Sequence, residues 1–302
     1  MNIGQSESRS ISALCSLLGY SRQAFYQYQL QSEKEALQQD LLVQEVLSIR
    51  KDQKRLGARK LLHKMQSFIR QHDILIGRDT FFDLLARQGL LIRRRRRKFA
   101  RTTFSDHWLY KHPNLIVGFI PIAPNQLWVS DITYVVLEDT FAYLSLITDA
   151  YSRKIVGFYL SENLAAKGCI EALKMALKND PQIDSLIHHS DRGVQYCCGA
   201  YVKLLEKYAI GISMTQSGDP LENPLAERVN GILKDELLEE CYLSFAPAQQ
   251  AVSIAVNIYN HQRPHSSIDF LTPMDAHQKT GELKRRWKNY YQIKKEKEVI
   301  MG

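Results

Sequence analysis

The sequence has few cysteines, and they form no pattern. Its five cysteines include no CxxC pair and no spacing typical of zinc ligands. Cys197 and Cys198 are adjacent, which suits ordinary helix residues better than a disulfide framework. No apolar run approaches the length of a membrane span, and Ile11–Leu18 is too short for a signal peptide. We therefore expect a reducing cytoplasm as the compartment and no membrane partner.

Positive charge is concentrated in the first part of the chain. Residues 1–127 carry 21 Lys and Arg against 10 Asp and Glu, a net charge of +11, whereas the whole chain carries +8 and residues 128–302 carry −3. A basic N-terminal part joined to a near-neutral C-terminal part indicates a nucleic-acid-binding region attached to a second unit. The alternative is a solvated basic face.

Two short helical patterns open the chain. Apolar positions of helical spacing fill residues 10–18, Gly19 is expected to end this helix, and Ser21 can cap a second one. Helix, glycine turn and helix is the outline of a helix-turn-helix, which we predict for residues 1–36. Any two-helix hairpin would give the same pattern.

A second helical region is predicted for residues 37–98, after a polar connector at Gln31–Gln39. Its helix at Gly77–Gly89 begins with Arg78 and Thr80, where a recognition helix would offer side chains to the major groove. The alternative is a helical bundle whose basic face contacts only water. The whole region is predicted to be a second DNA-binding domain.

Six consecutive cations end this region: Arg93, Arg94, Arg95, Arg96, Arg97 and Lys98. Such a run repels itself and should stay extended until it meets a polyanion. Its contribution to DNA binding would come mainly from counterion release, so it should depend strongly on salt and little on base sequence. Residues 99–120 are predicted to be a linker.

Strand patterns begin at residue 126. The predicted strands are Trp128–Leu137, Phe141–Ala150, Ile155–Leu160, Leu186–His189 and Gly211–Met214, with helical patterns between the later ones. This order predicts an α/β fold of the ribonuclease-H-like kind, with a mixed five-stranded sheet and helices on both faces. We assign it to a catalytic core at residues 121–280, followed by a basic tail at residues 281–302.

Three acidic residues are candidates for one site. Asp131 lies within a predicted strand, Asp191 lies at the end of another, and Glu227 lies in a predicted helix that has Asn223 as its cap. Lys234 is seven residues after Glu227 and should share its side of the helix. Carboxylates brought together by a fold can hold paired divalent metal ions for phosphodiester chemistry.

These motifs resemble a known family. WVSDITYV, LITDAYSRKIVG, HHSDRGVQY, the glutamate separated from Asp191 by 35 residues, and YNHQRPHSSIDFLTP together are similar to transposases of the bacterial insertion-sequence-three family. The cores of that family are similar to retroviral integrases. The resemblance covers roughly residues 10–278. It is looser in DPLENPLAERVNG, it does not reach Glu282–Gly302, and no zinc module like that of retroviral integrases is visible.

The resemblance implies a DDE transposase with Asp131, Asp191 and Glu227 as its catalytic triad. Two Mg²⁺ ions roughly 3.5–4 Å apart would be bound, with Asp131 bridging them and Mn²⁺ as a substitute. The expected reaction is strand cleavage at transposon ends, then attack of the freed 3′-hydroxyl on target DNA. The resemblance also implies double-stranded DNA as partner, a homo-oligomer on DNA, an upstream frame product made separately or as a fusion, and a location at the bacterial nucleoid.

Several further residues have two readings at this stage. Lys234, Gln216, Ser217, Asn223 and Arg263 are candidate DNA contacts, but Lys234 could be a free surface lysine and Arg263 could pair with an acid. Asp149 is a metal-ligand candidate if Asp131 lies opposite residue 147, but we favour a structural role in the turn at Tyr151–Arg153. His188 and His189 either position substrate or belong to the core.

Two other functions compete with the transposase. A structure-selective nuclease or ribonuclease H would keep the fold without strand transfer, and the basic N-terminal half argues against it. A DNA-binding regulator with an inactive core is the other candidate, and the presence of all three carboxylates argues against that.

Overall fold

The computed structural model describes residues 11–93, 107–180, 183–216 and 223–284. The predictions for Arg94–Lys98, Ser217 and most of the C-terminal tail therefore lie outside the described residues. The chain begins with helices and continues into a sheet with helices on both faces. The N-terminal helices are α1 Ile11–Leu17, α2 Arg22–Asp52, α3 Ala58–Lys64, α4 Gln66–Gln71 and α5 Arg78–Arg87.

The hairpin between α1 and α2 forms as its sequence predicts. Gly19 adopts a φ of +74°, a conformation that glycine enters without steric cost. Ser21 occupies the N-cap of α2, and its side chain accepts a hydrogen bond from the Ala24 N–H at 3.0 Å. These two residues fix where one helix ends and the next begins.

The polar connector predicted at Gln31–Gln39 is wrong. Helix α2 runs without interruption for 31 residues, so the boundary predicted between residues 36 and 37 falls inside a helix. The segment contains no glycine or proline, and Gln31 donates to Glu35 one turn later at 2.7 Å. The polar composition of this segment predicts a loop, but its residues have good helix propensity and form a helix.

Helices α3 to α5 and the C-terminal half of α2 share one apolar core. We call residues 11–93 the helical unit. Its core residues are Leu42, Val46, Leu56, Leu61, Met65, Ile69, Ile74, Phe81, Leu84 and Leu85. The helix predicted at Gly77–Gly89 is confirmed as α5, with Arg78 and Thr80 exposed at its start.

The remainder of the chain contains the five-stranded mixed sheet that its sequence predicts. The strands are β1 Leu127–Val136, β2 Phe141–Asp149, β3 Ile155–Ser161, β4 Ile187–Ser190 and β5 Gly211–Met214. Their order in the sheet is β3-β2-β1-β4-β5. Strands β1 to β3 are antiparallel neighbours, while β4 is parallel to both β1 and β5.

Helices cover both faces of this sheet. They are α6 Ala166–Asn179, α7 Val194–Cys197, α8 Gly199–Lys207, α9 Pro224–Ile232, α10 Phe245–His261 and α11 Pro273–Ala276. One core packs α6 and α8 against Trp128 and Ile132, and the other packs α9 and α10 against Val135 and Leu144. Successive residues of β1 therefore point to different cores, as the pleat requires.

Close packing at β3 requires a glycine. A Cβ on Gly157 would collide with the carbonyl of Ala172 and lie 2.9 Å from the Ala176 Cβ, both on α6. The described part of the predicted linker also lies against the sheet, because the Leu115 N–H donates to Ser213 Oγ at 2.9 Å. All five cysteines are free thiols. Among the described residues, no helix has both the length and the apolar character needed to span a bilayer.

Candidate active site

Asp131 lies in the middle of β1 and faces α9. Its Oδ1 accepts a hydrogen bond from the Ile132 N–H at 2.8 Å, and its Oδ2 accepts one from Asn230 Nδ2 at 2.7 Å. The cross-strand partner of Asp131 is Leu146, which belongs to the core beneath α9 and α10. The carboxylate is therefore half-buried at a fixed position on this face of the sheet.

Parallel pairing brings Asp191 beside Asp131. Val129 pairs with His189, and each aspartate follows two residues later, Asp131 within β1 and Asp191 directly after the end of β4. Asp191 Oδ1 accepts a hydrogen bond from the Gly193 N–H at 2.9 Å. A Cβ on Gly193 would lie 3.0 Å from that same oxygen, so glycine leaves the room that this turn needs.

Glu227 lies on α9, close enough for its charge to act on Asp131. It lies in the first turn of that helix, and its side chain is exposed. Asn223 Nδ2 donates to the Ser130 carbonyl at 2.9 Å, and Asn230 donates to Asp131, so both ends of α9 are attached to β1. Asn223 occupies the N-cap position of α9, as predicted, but its side chain bonds to the strand and makes no capping bond.

The three carboxylates share one electrostatic environment. Burial and the neighbouring charge of Asp191 raise the pKa of Asp131 to about 7, and Glu227 adds to this shift. The hydrogen bonds from Ile132 and Asn230 oppose it. Excess negative charge on hard oxygen atoms is the donor set that Mg²⁺ prefers, and a bound cation would relieve the repulsion. The chemistry of these donors therefore suits a divalent metal ion, although their present positions do not form a complete binding site among the described residues.

The carboxylates are neighbours without forming a closed cage. Within the described ranges, no three His, Cys, Asp or Glu side chains are arranged so that they could hold a metal ion together. Glu227 is exposed, whereas Asp131 is held by two donors. The geometry thus provides one aspartate in β1, a second directly after the adjacent strand β4, and a third carboxylate on a helix that faces them.

Lys234 lies just beyond the α-helix that carries Glu227. The α-helix ends at Ile232, and a π-helical turn, Leu233–Leu237, follows it. That Lys234 shares the side of Glu227 stays a prediction. The Lys234 Nζ lies 3.5 Å from the centroid of the Tyr134 ring, a cation–π contact. Its contact with DNA stays a prediction.

Arg263 pairs with an acid, which is the second of the two roles considered for it. Its Nε and Nη2 donate to the two carboxylate oxygens of Glu236, both at 2.8 Å. Arg263 is only 1% exposed, so a direct DNA contact for it is wrong. The sequence contains many acids, and nothing local to Arg263 identifies Glu236 as its partner. Asn223 is also buried, which leaves little of it for DNA.

Asp149 has the structural role that we favoured. Its Oδ1 accepts from the Ser152 N–H and Oγ–H at 2.7 and 2.6 Å, and its Oδ2 accepts from the Asn125 N–H at 2.8 Å. The predicted register is off by one residue, because Asp131 pairs with Leu146 and Asp149 pairs with Trp128. A one-residue slip moves a side chain to the other face, so Asp149 does not lie beside Asp131.

Both candidate histidines belong to the core. His188 Nε2 lies 2.6 Å from Ser130 Oγ and 2.9 Å from the Tyr201 hydroxyl. Burial and the charge of His189 lower the pKa of His188 to about 3. His189 Nδ1 lies 2.9 Å from Ser213 Oγ and is fully buried. These contacts organise the sheet beneath the site.

The remaining candidate DNA contacts are on the surface where they are described. Arg78 and Thr80 are exposed, and Arg78 pairs with Asp79 at 2.8 Å. Arg93 and Gln216 are also exposed, and all four stay predictions. Sequence reasoning missed Asn230 and Gly193. Asn230 could have been found as a polar residue on the buried side of an amphipathic helix, while the turn after Asp191 gives only a weak signal.

Strand order and acid positions define the class of this protein. A mixed sheet of order β3-β2-β1-β4-β5, with one acid in its central strand, one directly after β4 and one on a covering helix, is a ribonuclease-H-like polynucleotidyl transferase core. A family model described as an integrase core domain matches residues 121–220. A second model with the same description matches residues 208–273.

Known relatives narrow the class to a family. An uncharacterized 31 kDa protein of insertion element IS600 from Shigella sonnei is 34% identical over 279 residues, covering 89% of this chain and 99% of the relative. The putative transposase of IS986/IS6110 from Mycobacterium tuberculosis is 31% identical, covering 72% of this chain and 80% of the relative. The HTLV-2 integrase catalytic core, solved with magnesium, aligns at a TM-score of 0.43 and 18% identity, covering 53% of this chain and 100% of that core.

The chain therefore belongs to the insertion-sequence transposases that carry an integrase core domain. Its function is DNA transposition, with integration of the transposed DNA. The resemblance drawn from the motifs is confirmed.

Proposed function

We propose that Asp131, Asp191 and Glu227 are the catalytic carboxylates of this transposase and that together they hold two Mg²⁺ ions, for which Mn²⁺ can substitute. The reaction is cleavage at the transposon ends followed by strand transfer into target DNA. One observation carries the proposal: Asp131 is flanked by two further carboxylates, and with burial they raise its pKa to about 7. A divalent cation would offset the repulsion among these carboxylates and draw Glu227 toward the two aspartates.

The chemistry is two successive displacements at phosphorus. Water attacks the phosphodiester at the transposon end, a P–O bond forms, and the bond to the 3′-oxygen breaks to leave a 3′-hydroxyl and a 5′-phosphate. That hydroxyl then attacks a target phosphodiester, joining the strands and releasing the target's own 3′-hydroxyl. Bound metal ions supply activation of the attacking oxygen and stabilisation of the leaving oxygen.

The protein's own part is orientation. Asn230 and the Ile132 N–H fix the two oxygens of Asp131, and the Gly193 N–H fixes one oxygen of Asp191. The bond from Asn223 to β1 holds the start of α9, and with it Glu227, near Asp131. Rigid positioning of these groups lowers the activation free energy of the reaction, because misplaced groups lose the near-attack geometry.

The partner is double-stranded DNA, both transposon end and target. The basic run Arg93–Lys98 would grip phosphates without reading sequence, and the start of α5, with Arg78 and Thr80, would read the end. Gln216, Ser217 and Lys234 would contact DNA near the scissile phosphate. We further propose action as a homo-oligomer on DNA, production with or beside an upstream frame product, and a cytoplasmic location at the nucleoid.

A single substitution tests the catalytic set. Glu227→Gln keeps the size of the side chain and removes its charge, so metal-dependent cleavage and joining should be lost while DNA-end binding stays. The matched control is Glu206→Gln, an exposed helix acid on α8 that should keep full activity. Joining by Glu227→Gln at the control's rate would remove Glu227 from the catalytic set.

The same assay separates the competing functions. An uncut transposon-end duplex and one already carrying the terminal 3′-hydroxyl are each incubated with labelled target DNA and Mg²⁺. Cleavage without joined product would indicate a structure-selective nuclease, and binding without either reaction would indicate an inactive regulator. Joined product that depends on Glu227 supports the transposase chemistry given above.

A further inference from the structure

Three charged side chains join the helical unit to the segment that follows α9. Lys60 Nζ lies 2.9 Å from Glu236 Oε1, and Arg263 binds both oxygens of the same carboxylate at 2.8 Å. We call Lys60, Glu236 and Arg263 the Glu236 cluster. Lys60 comes from α3, Glu236 from the π turn, and Arg263 from the residues after α10. The cluster therefore connects three parts of the chain that are far apart in sequence.

The cluster is largely buried. The side chains of Lys60 and Glu236 are each 19% exposed, and that of Arg263 is 2% exposed. Burial alone would raise the pKa of Glu236, but Arg263 and Lys60 together lower it to about 2. Burial and repulsion from Arg263 lower the pKa of Lys60 to about 8, although Glu236 opposes this. Glu236 is thus neutralised mainly by Arg263, and Lys60 is the more weakly held partner.

Glu236 and Glu227 lie on one continuous helical segment. Helix α9 passes directly into the π turn, so residues 224–237 form one helical segment with Glu227 near its start and Glu236 near its end. Leu233 and Leu238, on either side of Glu236, are buried in the core under α10. A shift of Glu236 would therefore be transmitted along the segment to Glu227.

Other contacts reach the same segment from the loop before α3. Arg55 Nε donates to the Asp235 carbonyl at 2.8 Å, which satisfies a carbonyl at the end of the helical segment. Lys54 pairs with Glu239 at 2.6 Å, but this pair is on the surface, with side-chain exposures of 68% and 51%. The helical unit thus covers the end of the Glu227-bearing segment, with a buried ion pair at the centre of the contact and an exposed one at its rim.

We propose that Lys60 is a positioning residue through which the helical unit holds Glu236, and with it the Glu227-bearing segment, in the geometry needed for catalysis. This inference rests on the proposed function, because it takes Glu227 to be catalytic. It predicts that the helical unit does more than bind DNA. Docking of the unit on the core completes the catalytic centre.

The charges of the Glu236 cluster are better explained by a role in positioning Glu236 than by a role in stabilising the contact. Replacing a buried ion pair by apolar residues is often neutral for stability, so three charges are not needed to hold two surfaces together. They do impose direction, because the bidentate contact of Arg263 and the third donor from Lys60 fix the carboxylate. Without Lys60 the carboxylate is still paired with Arg263, so loss of the lysine should loosen the docking without leaving Glu236 unpaired.

The test uses the full chain with Lys60→Met, which keeps the length of the side chain and removes its charge. At saturating DNA, single-turnover cleavage should fall about tenfold, and the half-saturating Mg²⁺ concentration should rise about fivefold, as expected for a displaced ligand. DNA affinity and the thermal unfolding midpoint should stay near those of the unmodified protein. Lys60→Arg, which restores charge and reach, should recover most of the rate. Lys60→Gln provides a second uncharged variant should the methionine variant fold poorly.

The matched control is Lys54→Met, which removes the exposed pair at the rim of the same contact. It should leave both rate and Mg²⁺ dependence unchanged. The inference is overturned if the uncharged variants of Lys60 behave like Lys54→Met, or if their loss of rate disappears once DNA affinity is matched. Failure of the proposed function would look different, because Glu227→Gln would then be active whatever Lys60 does.

Discussion

Asp131 and Asp149 lie on neighbouring strands of one sheet, yet their surroundings are opposite. Asp149 is fully buried and accepts three hydrogen bonds, two from Ser152 and one from the Asn125 N–H. Asp131 accepts two, and its other neighbours are Asp191 and Glu227, which carry the same charge as it does. One carboxylate is satisfied by the fold, and the other is left with charge that the fold does not neutralise.

The difference separates a structural acid from a functional one. Hydrogen bonds to a charged group each contribute roughly 1.5–3 kcal/mol, so Asp149 stabilises the turn in which it lies. Asp131 instead costs stability, because burial and like charge both disfavour its ionised form. Such a cost is expected where a site is built for a cation that binds later. The position of an acid in a sheet is therefore less informative than the donors around it.

The largest expected effect concerns activity. Asp131→Asn should reduce metal-dependent cleavage by about a thousandfold, because a lost ligand removes several kcal/mol of charge stabilisation, and each 1.4 kcal/mol is a factor of ten. Asp149→Asn, assayed below its unfolding temperature and corrected for the folded fraction, should stay within about threefold of the unmodified protein. Single-turnover cleavage of a labelled transposon end measures both. Comparable losses in the two variants would erase the distinction between these aspartates.

The second expected effect concerns stability, for which Asp149 should matter more than Asp131. Asp149→Asn should lower the free energy of unfolding by about 2–4 kcal/mol, since an amide NH₂ would face either the Asn125 N–H or the two donors of Ser152. Urea denaturation followed by circular dichroism gives the value. Ser253→Ala, which loses a surface hydroxyl bond within α10, is a control that should cost less than about 1 kcal/mol. A midpoint for Asp149→Asn equal to that of the control would mean that its three bonds contribute nothing.

Much of the fold could be predicted from local patterns. All five strands differ from their predicted bounds by no more than one residue at either end. The hairpin register was missed because the predicted turn was centred on Asp139, whereas Leu137 bonds to Thr140 across a two-residue loop. Changing a loop by one residue shifts every partner by one, and that error placed Asp149 on the wrong face.

The site was predicted less completely than the fold. Residue type and spacing were enough to nominate Asp131, Asp191 and Glu227, because parallel strand pairing and a covering helix follow from the fold. The partner of Arg263 could not be predicted, since Glu236 is chosen by tertiary packing and not by spacing. The π turn after Ile232 could not be predicted either, because its residues are ordinary helix formers. Both misses concern the junction between the helical unit and the core.

The smallest expected effect is a pH dependence of stability that comes from Asp131. The pKa of Asp131 is raised from 3.8 to about 7 in the folded chain, so the folded state binds a proton more tightly than the unfolded state does. Stability of the metal-free protein should therefore fall as pH rises from about 4 to 7, and this loss should be complete above pH 7.

Asp131→Asn removes that loss, so at pH 8 it should be more stable than the unmodified protein by about 1–2 kcal/mol, a figure reduced because the carboxylate is only half-buried. The two proteins should be alike near pH 4. Millimolar Mg²⁺ should raise the unfolding midpoint of the unmodified protein at pH 8 and leave that of Asp131→Asn nearly unchanged. Thermal unfolding with EDTA or Mg²⁺ across this pH range measures each difference. If Asp131→Asn were destabilised at pH 8, its charge would already be compensated by the fold, and Asp131 would resemble Asp149 after all.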